Sequence, residues 1–359
     1  MYLVSFLCFF CFDFSGTLFL GGELIVRKRF ACLVFLIFSS VFVFAAEIRV
    51  LSFNIAHNSA YKKEHRDEWL SQIAEIVHEN EADIVLLQEV PVELNKGFVK
   101  KYYGDVELHF KTPKERTILN ELSEKLGDSW DFSSTAAYLL HDGVSIDGVD
   151  FSGGDMSQNN AVFFDSNRFS AEDMASVLGF TDFPDCDYRF NKNSVQVIRF
   201  TELESEKTFV IANVHLQSKN AIEKRNSDLE NLSDMLLNEF GGEISDEPIA
   251  VGGDFNTSRK EFESVGFFLY FVDGKTSPKT TLSTSAEKFK YANDFDHFVY
   301  NQAMKIVITK ETMRAKLGNA VTNLEKVKSV TIFGKEFFSS KDFRERLSDH
   351  VPIIMAFEL

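Results

Sequence analysis

The chain has 359 residues, 45% of them hydrophobic and 14% aromatic, which is ample for one large core or two ordinary ones. A formal net charge of −16 excludes a general electrostatic pull toward nucleic acid or anionic membrane, so either partner needs a local basic patch or a metal ion. Cys8, Cys11 and Cys32 precede residue 47 and only Cys186 follows it, which excludes an internal disulfide in the mature chain.

Residues 1–46 read as a leader. RKRF (27–30) is a positive start, ACLVFLIFSSVFVF (31–44) a continuous apolar stretch, and Ala45-Ala46 a pair of small residues at its end. These are the three regions of a secretion signal in order, and the apolar stretch is short for a spanning helix. Cleavage would deliver the rest to the periplasm or the medium; a retained anchor and a buried N-terminal helix are the alternatives. Residues 1–25 are Phe-rich and stand ahead of the basic start. Gly21-Gly22-Glu23 can be encoded by a ribosome-binding sequence, so translation is expected to begin near Val26; the plainer alternative is a second membrane segment, since 1–20 is mostly apolar around Asp13.

From 47 to 359 there is no linker, repeat or low-complexity block, and a single domain is expected. EIRVLSFNI (47–55) has the β-branched and aromatic content of a strand. In 66–83, Trp69, Leu70, Ile73, Ile76 and Val77 share one helical face. DIVLLQEV (83–90) is a short, fully apolar strand, so the chain opens with a βαβ unit. Residues 114–126 read as helix, 160–165, 194–200 and 208–216 as strands, and 221–240 as a helix stopped by Gly241-Gly242. PIAVGGDFN (248–256), FDHFVY (295–300) and VPIIMAFEL (351–359) read as strands, and 141–158 as a surface loop. Residues 257–293 and 301–348 show no resolvable pattern.

The buried strands share one feature: each apolar run ends in a polar group. These are Asn54, Glu89, His215, and Asp254 with Asn256, while Asp349-His350 stands at the mouth of the last run. Singly, an Asn or Asp there is a turn residue or helix cap, and a His a hydrogen-bonded core residue. Together, all carboxylate, amide or imidazole, they point to one site for a metal and an anion at the strand ends, where loops diverge. Phosphodiester hydrolysis needs this set. A divalent cation requires hard oxygen ligands such as Glu89 and Asp349. His215 and His350 can share the proton transfers near neutral pH, each ring needing an acceptor to orient it. An amide such as Asn256 can donate to a phosphate oxygen without adding charge.

LSFNI (51–55), LLQEV (86–90), NVHLQS (213–218), GGDFN (252–256), FDH (295–297) and SDHVPI (348–353), in this order, resemble the endonuclease/exonuclease/phosphatase family over nearly all of 47–359. The stretch KTTLSTSAEKFKYANDFDHFVYN (279–301) and the His of NVHL are similar to its deoxyribonuclease I branch. The resemblance implies an α/β fold, a two-sheet sandwich in four layers with helices outside and the site at one edge. It implies that Glu89 and Asp349 serve a metal, Mg2+ or Mn2+ with Ca2+ as an alternative, with Asn54 beside them. His215 and His350 would be the acid/base pair, Asp296 would orient His350, and Asp254 and Asn256 would position phosphate and nucleophile. Two positions depart from the branch: Gln158 stands where it has an acid that orients the first histidine, and Asn193 where it has an arginine, with Arg189 and Lys192 nearby.

Lys62, Lys63, His65 and Arg66 read as a solvated loop, with contact to a substrate phosphate as the functional alternative. Trp69 and Trp130 read as core, His57 as a loop residue and His297 as a neighbour of the site. The function expected is an exported, metal-dependent phosphodiesterase, foremost a deoxyribonuclease I-like endonuclease that cleaves nucleic acid, DNA ahead of RNA, by direct attack of water. A sphingomyelinase or inositol-phosphate phosphatase of the same fold is the alternative, and a non-catalytic binding protein a third reading, which the intact residue set disfavours. A monomer with no stable protein partner is expected, touching membrane only through its leader.

Overall fold

Short, nearly continuous apolar runs make the central strands of this chain, and helices with apolar stripes cover them. The computed structural model describes residues 46–56, 59–91, 117–134, 144–146, 149–151, 158–173, 195–217, 221–241, 245–258, 270–271, 278–283 and 286–359, and Ala46–Leu359 forms one unit. The first half contains β1 (Ile48–Asn54), α1 (Ala60–Glu64), α2 (Arg66–Glu79), β2 (Ile84–Pro91), α3 (Ile118–Leu126), β3 (Trp130–Ser134), β4 (Val144–Ile146), β5 (Val149–Phe151), β6 (Gln158–Asp165) and β7 (Phe169–Asp173). The second contains β8 (Val195–Glu202), β9 (Thr208–His215), α4 (Ile222–Phe240), β10 (Ile249–Asp254), β11 (Tyr270–Phe271), β12 (Asp296–Tyr300), α5 (Gln302–Val307), β13 (Ile308–Arg314), β14 (Val330–Ile332), β15 (Lys335–Phe337), α6 (Ser340–Arg346) and β16 (Ile353–Phe357).

Two six-stranded sheets result, ordered β13-β16-β1-β2-β6-β3 and β11-β12-β10-β9-β8-β7. Each has one parallel pair at its centre, β1 with β2 and β9 with β10. A parallel pair needs a crossover, which α1 and α2 supply in the first sheet and α4 in the second. The inner faces meet in one apolar layer, with Val50, Leu86, Val162 and Met355 from the first sheet and Phe200, Ile211, Ala250 and Phe298 from the second. Leu70, Ile73 and Val77 of α2 and Leu122 of α3 cover the outer face of the first sheet. Leu229, Leu232 and Leu236 of α4 cover the second. This is the expected two-sheet α/β sandwich with helices outside.

Gly252 and Gly253 of β10 are required where they stand. A Cβ on Gly252 would lie 2.3 Å from the Phe298 ring and 2.9 Å from Leu86, so the glycine lets the two sheets approach. Gly253 has φ +145°, and a Cβ there would meet the Val214 carbonyl oxygen at 2.0 Å.

The stretches without a legible pattern contain β11, α5, β13, the β14–β15 hairpin and α6. β13 reads ITKETMR and lies at a sheet edge, half-exposed or exposed throughout, so charged residues replace an apolar run. The expected loop over 141–158 includes a short hairpin, β4 with β5, and the start of β6. Helix α3 starts later than expected, at Ile118, where Thr117 and Asn120 form a reciprocal cap. The leader reading of 1–45, His57, and Arg189, Lys192 and Asn193 lie outside the described residues, as does the side chain of Gln158. Among the described residues no helix is long and apolar enough to cross a membrane.

Gly252→Ala is expected to cost about 1–3 kcal/mol of unfolding free energy, because the added methyl has no space between the sheets. Chemical denaturation measures it, and an unchanged midpoint would contradict the close approach.

Candidate active site

Strand parity places the polar residues. On β1, Ile48 and Val50 face the inter-sheet layer, so Ser52 and Asn54 follow them on that face. On β9, Phe209 and Ile211 lead to Asn213 and His215; on β10, Ala250 and Gly252 lead to Asp254. On β12, which runs the other way, Asp296 comes first and Phe298 and Tyr300 follow. His215, Asp254 and Asp296 are register partners in a row across three neighbouring strands. Each apolar strand therefore ends in a polar group at the same edge of the sandwich, on the inner side.

Glu89 reaches that edge by another device. The β2–β6 register shifts between Leu87 and Val90, and Glu89 has φ +54°. The bulge inserts a residue, so Gln88 keeps the inner face while the Glu89 carboxylate is re-aimed. The Asn54 amide donates to Glu89 Oε1 at 3.2 Å and to Asp254 Oδ2 at 2.9 Å. Asn54 therefore bears on the expected metal ligand Glu89 through its amide. Its own Oδ1 accepts from Ala56 N at 3.0 Å.

His350 is buried, and its Nδ1 lies 2.8 Å from Asp296 Oδ2. Its Nε2 lies 3.7 Å from Asp254 Oδ2. Nε2 of the second imidazole, His215, stands 3.8 Å from Asp254 Oδ2 and 3.8 Å from Glu89 Oε1. The turn before β16 is braced on three sides. Ser348 Oγ donates to the Asn54 carbonyl at 2.6 Å and accepts from His350 N at 3.0 Å. Leu282 N donates to the Asp349 carbonyl and Val351 N to that of Thr280. Thr280 Oγ1 accepts from Asp296 N. The stretch 279–301 thus carries Asp296 and clamps the His350 turn at once. Asn256, with φ +50°, gives its amide to the Leu216 carbonyl at 2.9 Å, and from α4 Arg225 holds the Asn256 carbonyl at 3.2 Å.

Burial works against charge on His350, yet the carboxylates of Asp296 and Asp254 overcome it and hold the imidazole well above its ordinary pKa. Burial raises the Asp254 carboxyl against the pull of the His350 and His215 rings. Two donor sets can be compared for a cation. Oxygens of Asp254 and Asp296 and a nitrogen of His350 lie within 4.8 Å of one another. The 2.8 Å hydrogen bond inside that group already joins His350 to Asp296, so its chemistry is that of a proton-holding dyad. Glu89 and Asp349 have side chains 21% and 31% exposed and open on one cavity of about 740 Å³. Two accessible hard oxygen groups with room for water and a phosphate fit a divalent cation of the magnesium class.

Several residues escaped the sequence reading or were misread by it. Lys62 is not in a solvated loop. It is 1% exposed in α1, its ammonium donates to the carbonyls of Ile55 and Ala56, and burial lowers its pKa to about 8 against the pull of Asp349 and Glu89. It fixes the chain where β1 leaves the site, and Ala56 there has φ +42°. Arg66 pairs with Glu121 at 2.7 Å and His65 stacks on Tyr61, so neither is spare. Gln88 donates to Asn213 Oδ1 at 2.7 Å across the sheets, and Asn213 donates to the Leu87 and Ala161 carbonyls. His297 points to the α4 side of β12, with Nε2 3.1 Å from the Thr257 carbonyl oxygen, and Trp69 is core, as expected.

Comparisons with known proteins agree with the fold. A family model described as "Endonuclease/Exonuclease/phosphatase family" matches residues 51–350. A search of curated proteins finds no match. Among solved structures, an endonuclease/exonuclease/phosphatase family protein from Bacteroides thetaiotaomicron is 15% identical with a TM-score of 0.54, over 88% of this chain and 99% of that one. One from Bacteroides vulgatus is 15% identical with a TM-score of 0.52, over 88% and 99%. A mannosyl-6-phosphatase from Bacteroides thetaiotaomicron is 14% identical with a TM-score of 0.51, over 86% and 98%. At these identities the likeness is one of fold.

Asp296→Asn tests the electrostatics of the dyad. The stability that His350 contributes is fully present below its unfolded pKa of about 6.5 and is lost as pH rises through the higher folded value. Removing the Asp296 charge is expected to move the His350 titration, followed by imidazole NMR, to lower pH and to lessen that alkaline loss. A titration that stays in place would contradict Asp296 as a source of the shift.

Proposed function

The chain belongs to the endonuclease/exonuclease/phosphatase family, and from that premise we propose that it is an exported, metal-dependent phosphodiesterase that cleaves nucleic acid, DNA ahead of RNA. The observation that carries this reading is the His350–Asp296 dyad at 2.8 Å, beside Asp254 and at the same edge as the cavity of Glu89 and Asp349. Glu89 and Asp349 would hold the cation, Mg2+ or Mn2+ with Ca2+ as an alternative, and when bound it offsets charge on the phosphoryl oxygens. His350, protonated and held by Asp296, gives a proton to the leaving oxygen. His215, the other imidazole in reach, takes a proton from the attacking water, and the Asp254 carboxylate faces both rings at 3.7–3.8 Å. Asn54 steadies Glu89. No covalent intermediate is required.

Two features support a nuclease in particular. The stretch 279–301, similar to the deoxyribonuclease I branch, braces the catalytic turn, and a histidine stands at 215. A second reading, a compact phosphoester such as an inositol phosphate or the sphingomyelin headgroup, draws on the cavity of about 740 Å³ and on the −16 charge. Export rests on the leader, and N-terminal sequencing of the exported protein should begin at Glu47; retention of residues 1–46 would count against it.

The protein is assayed on supercoiled plasmid and on sphingomyelin vesicles with Mg2+, Mn2+ or EDTA. Metal-dependent nicking is expected, reduced about 10²–10⁴-fold in His350→Ala, the span of a lost general acid. Phosphocholine release without nicking would move the assignment to lipid. Activity on neither would overturn the substrate reading.

A further inference from the structure

The cavity beside the proposed metal carboxylates has a second half that the chemistry above does not use. Its floor is Glu89, Asp349 and Ala56; one wall is Tyr61 with its neighbours in α1, and the other is α6, with Lys341, Arg344 and Glu345. The two walls are tied together, since Ser59, the N-cap of α1, donates to the Glu345 carbonyl at 2.5 Å. Lys341 and Arg344 are three residues apart on α6 and so share a face, the one turned to the cavity.

Among the described residues Arg344 has a loose partner. Its Nε lies 3.9 Å from Asp349 Oδ2, and its side chain is 50% exposed. An exposed pair at that distance contributes little, whereas a guanidinium can hold a phosphate with two parallel hydrogen bonds. The cavity's charge depends on the cation. Three carboxylates against two cationic side chains leave it one negative charge, and a divalent ion on Glu89 and Asp349 makes it one positive charge. An anion is then favoured on the α6 side, away from the His350–Asp296 dyad.

We propose that Lys341 and Arg344 form a subsite for a second, uncleaved phosphate of the substrate, held beside the one that is hydrolysed. The proposal rests on the phosphodiesterase reading and narrows it: the preferred substrates carry two phosphates close together. Two sources share this chemistry, the neighbouring phosphate of an oligonucleotide and the second phosphate of an inositol bisphosphate. Lys341 and Arg344 are specificity-determining, and the proton transfers do not pass through them.

Binding by calorimetry tests this without turnover, with the full chain. The probes are thymidine 3′,5′-bisphosphate against thymidine 5′-monophosphate, and inositol 1,4-bisphosphate against inositol 1-phosphate, each with Mg2+ and with EDTA. In Mg2+ one bisphosphate is expected to bind about tenfold more tightly than its monophosphate, about 1.4 kcal/mol. Lys341→Gln with Arg344→Gln should remove that difference and leave Mg2+ affinity within about twofold. Arg344→Lys, which keeps the charge, should retain part of it. The pair that shows the difference identifies the source. No difference in the wild-type protein, or one that survives in the double variant, overturns the subsite. Plasmid nicking without the difference overturns the subsite alone. The difference without nicking keeps the subsite and overturns the nuclease reading. Both side chains are exposed, so an unchanged melting temperature is expected of the variants.

Discussion

Hydrogen bonds cross from one sheet to the other at several points, and those that build the site gather at one edge of the sandwich. His350, before β16, meets Asp296 on β12; Asn54 on β1 donates to Asp254 on β10; Gln88 on β2 donates to Asn213 on β9. The site exists only while the two sheets keep this relative position. The apolar layer between them supplies most of the burial but is non-directional, and slippage along it would cost little by itself. The polar contacts and the space left at Gly252 set the register.

These contacts also account for ionisable groups in places that ordinarily exclude them. Asp254, Asp296 and His350 are buried together, and each charge has an opposite or a hydrogen-bonding partner within the group. Lys62 is the same solution on a smaller scale: a buried ammonium with two carbonyl acceptors and the two proposed metal carboxylates exerting an attraction on it. The proposed selectivity for phosphate would arise locally, at the strand ends and along α6.

β1, β2, β6, β8, β9, β10, β12 and β16, with α2, α3 and α4, were legible because burial leaves a mark, a continuous apolar run in a strand and a stripe in a helix; β3 and β7 were not read as strands. Asn54, Glu89, His215 and Asp254 were legible because a polar residue that ends an apolar run interrupts such a mark, whereas Asp296 came only from the family resemblance. Lys62 was not, since its neighbours Lys63, Glu64 and His65 suggest solvent, and only the return of the chain over β1 encloses it. Gln88 and Asn213 were passed over because a single amide inside a strand has the same pattern whether it faces water or another sheet. The bulge at Glu89 leaves no trace in LLQEV. β13 and α6 were missed because both lie at the periphery, where charged residues carry no period.

The central claim is a division of labour, with the cation on Glu89 and Asp349 and the protons on His350 and its carboxylates. Anomalous diffraction from crystals of the protein soaked in Mn2+ tests it directly. The account predicts a peak between the Glu89 and Asp349 carboxylates, with the His350–Asp296 hydrogen bond intact. A peak among Asp254, Asp296 and His350 would contradict it, because the residues assigned to move protons would then be the ligands of the metal.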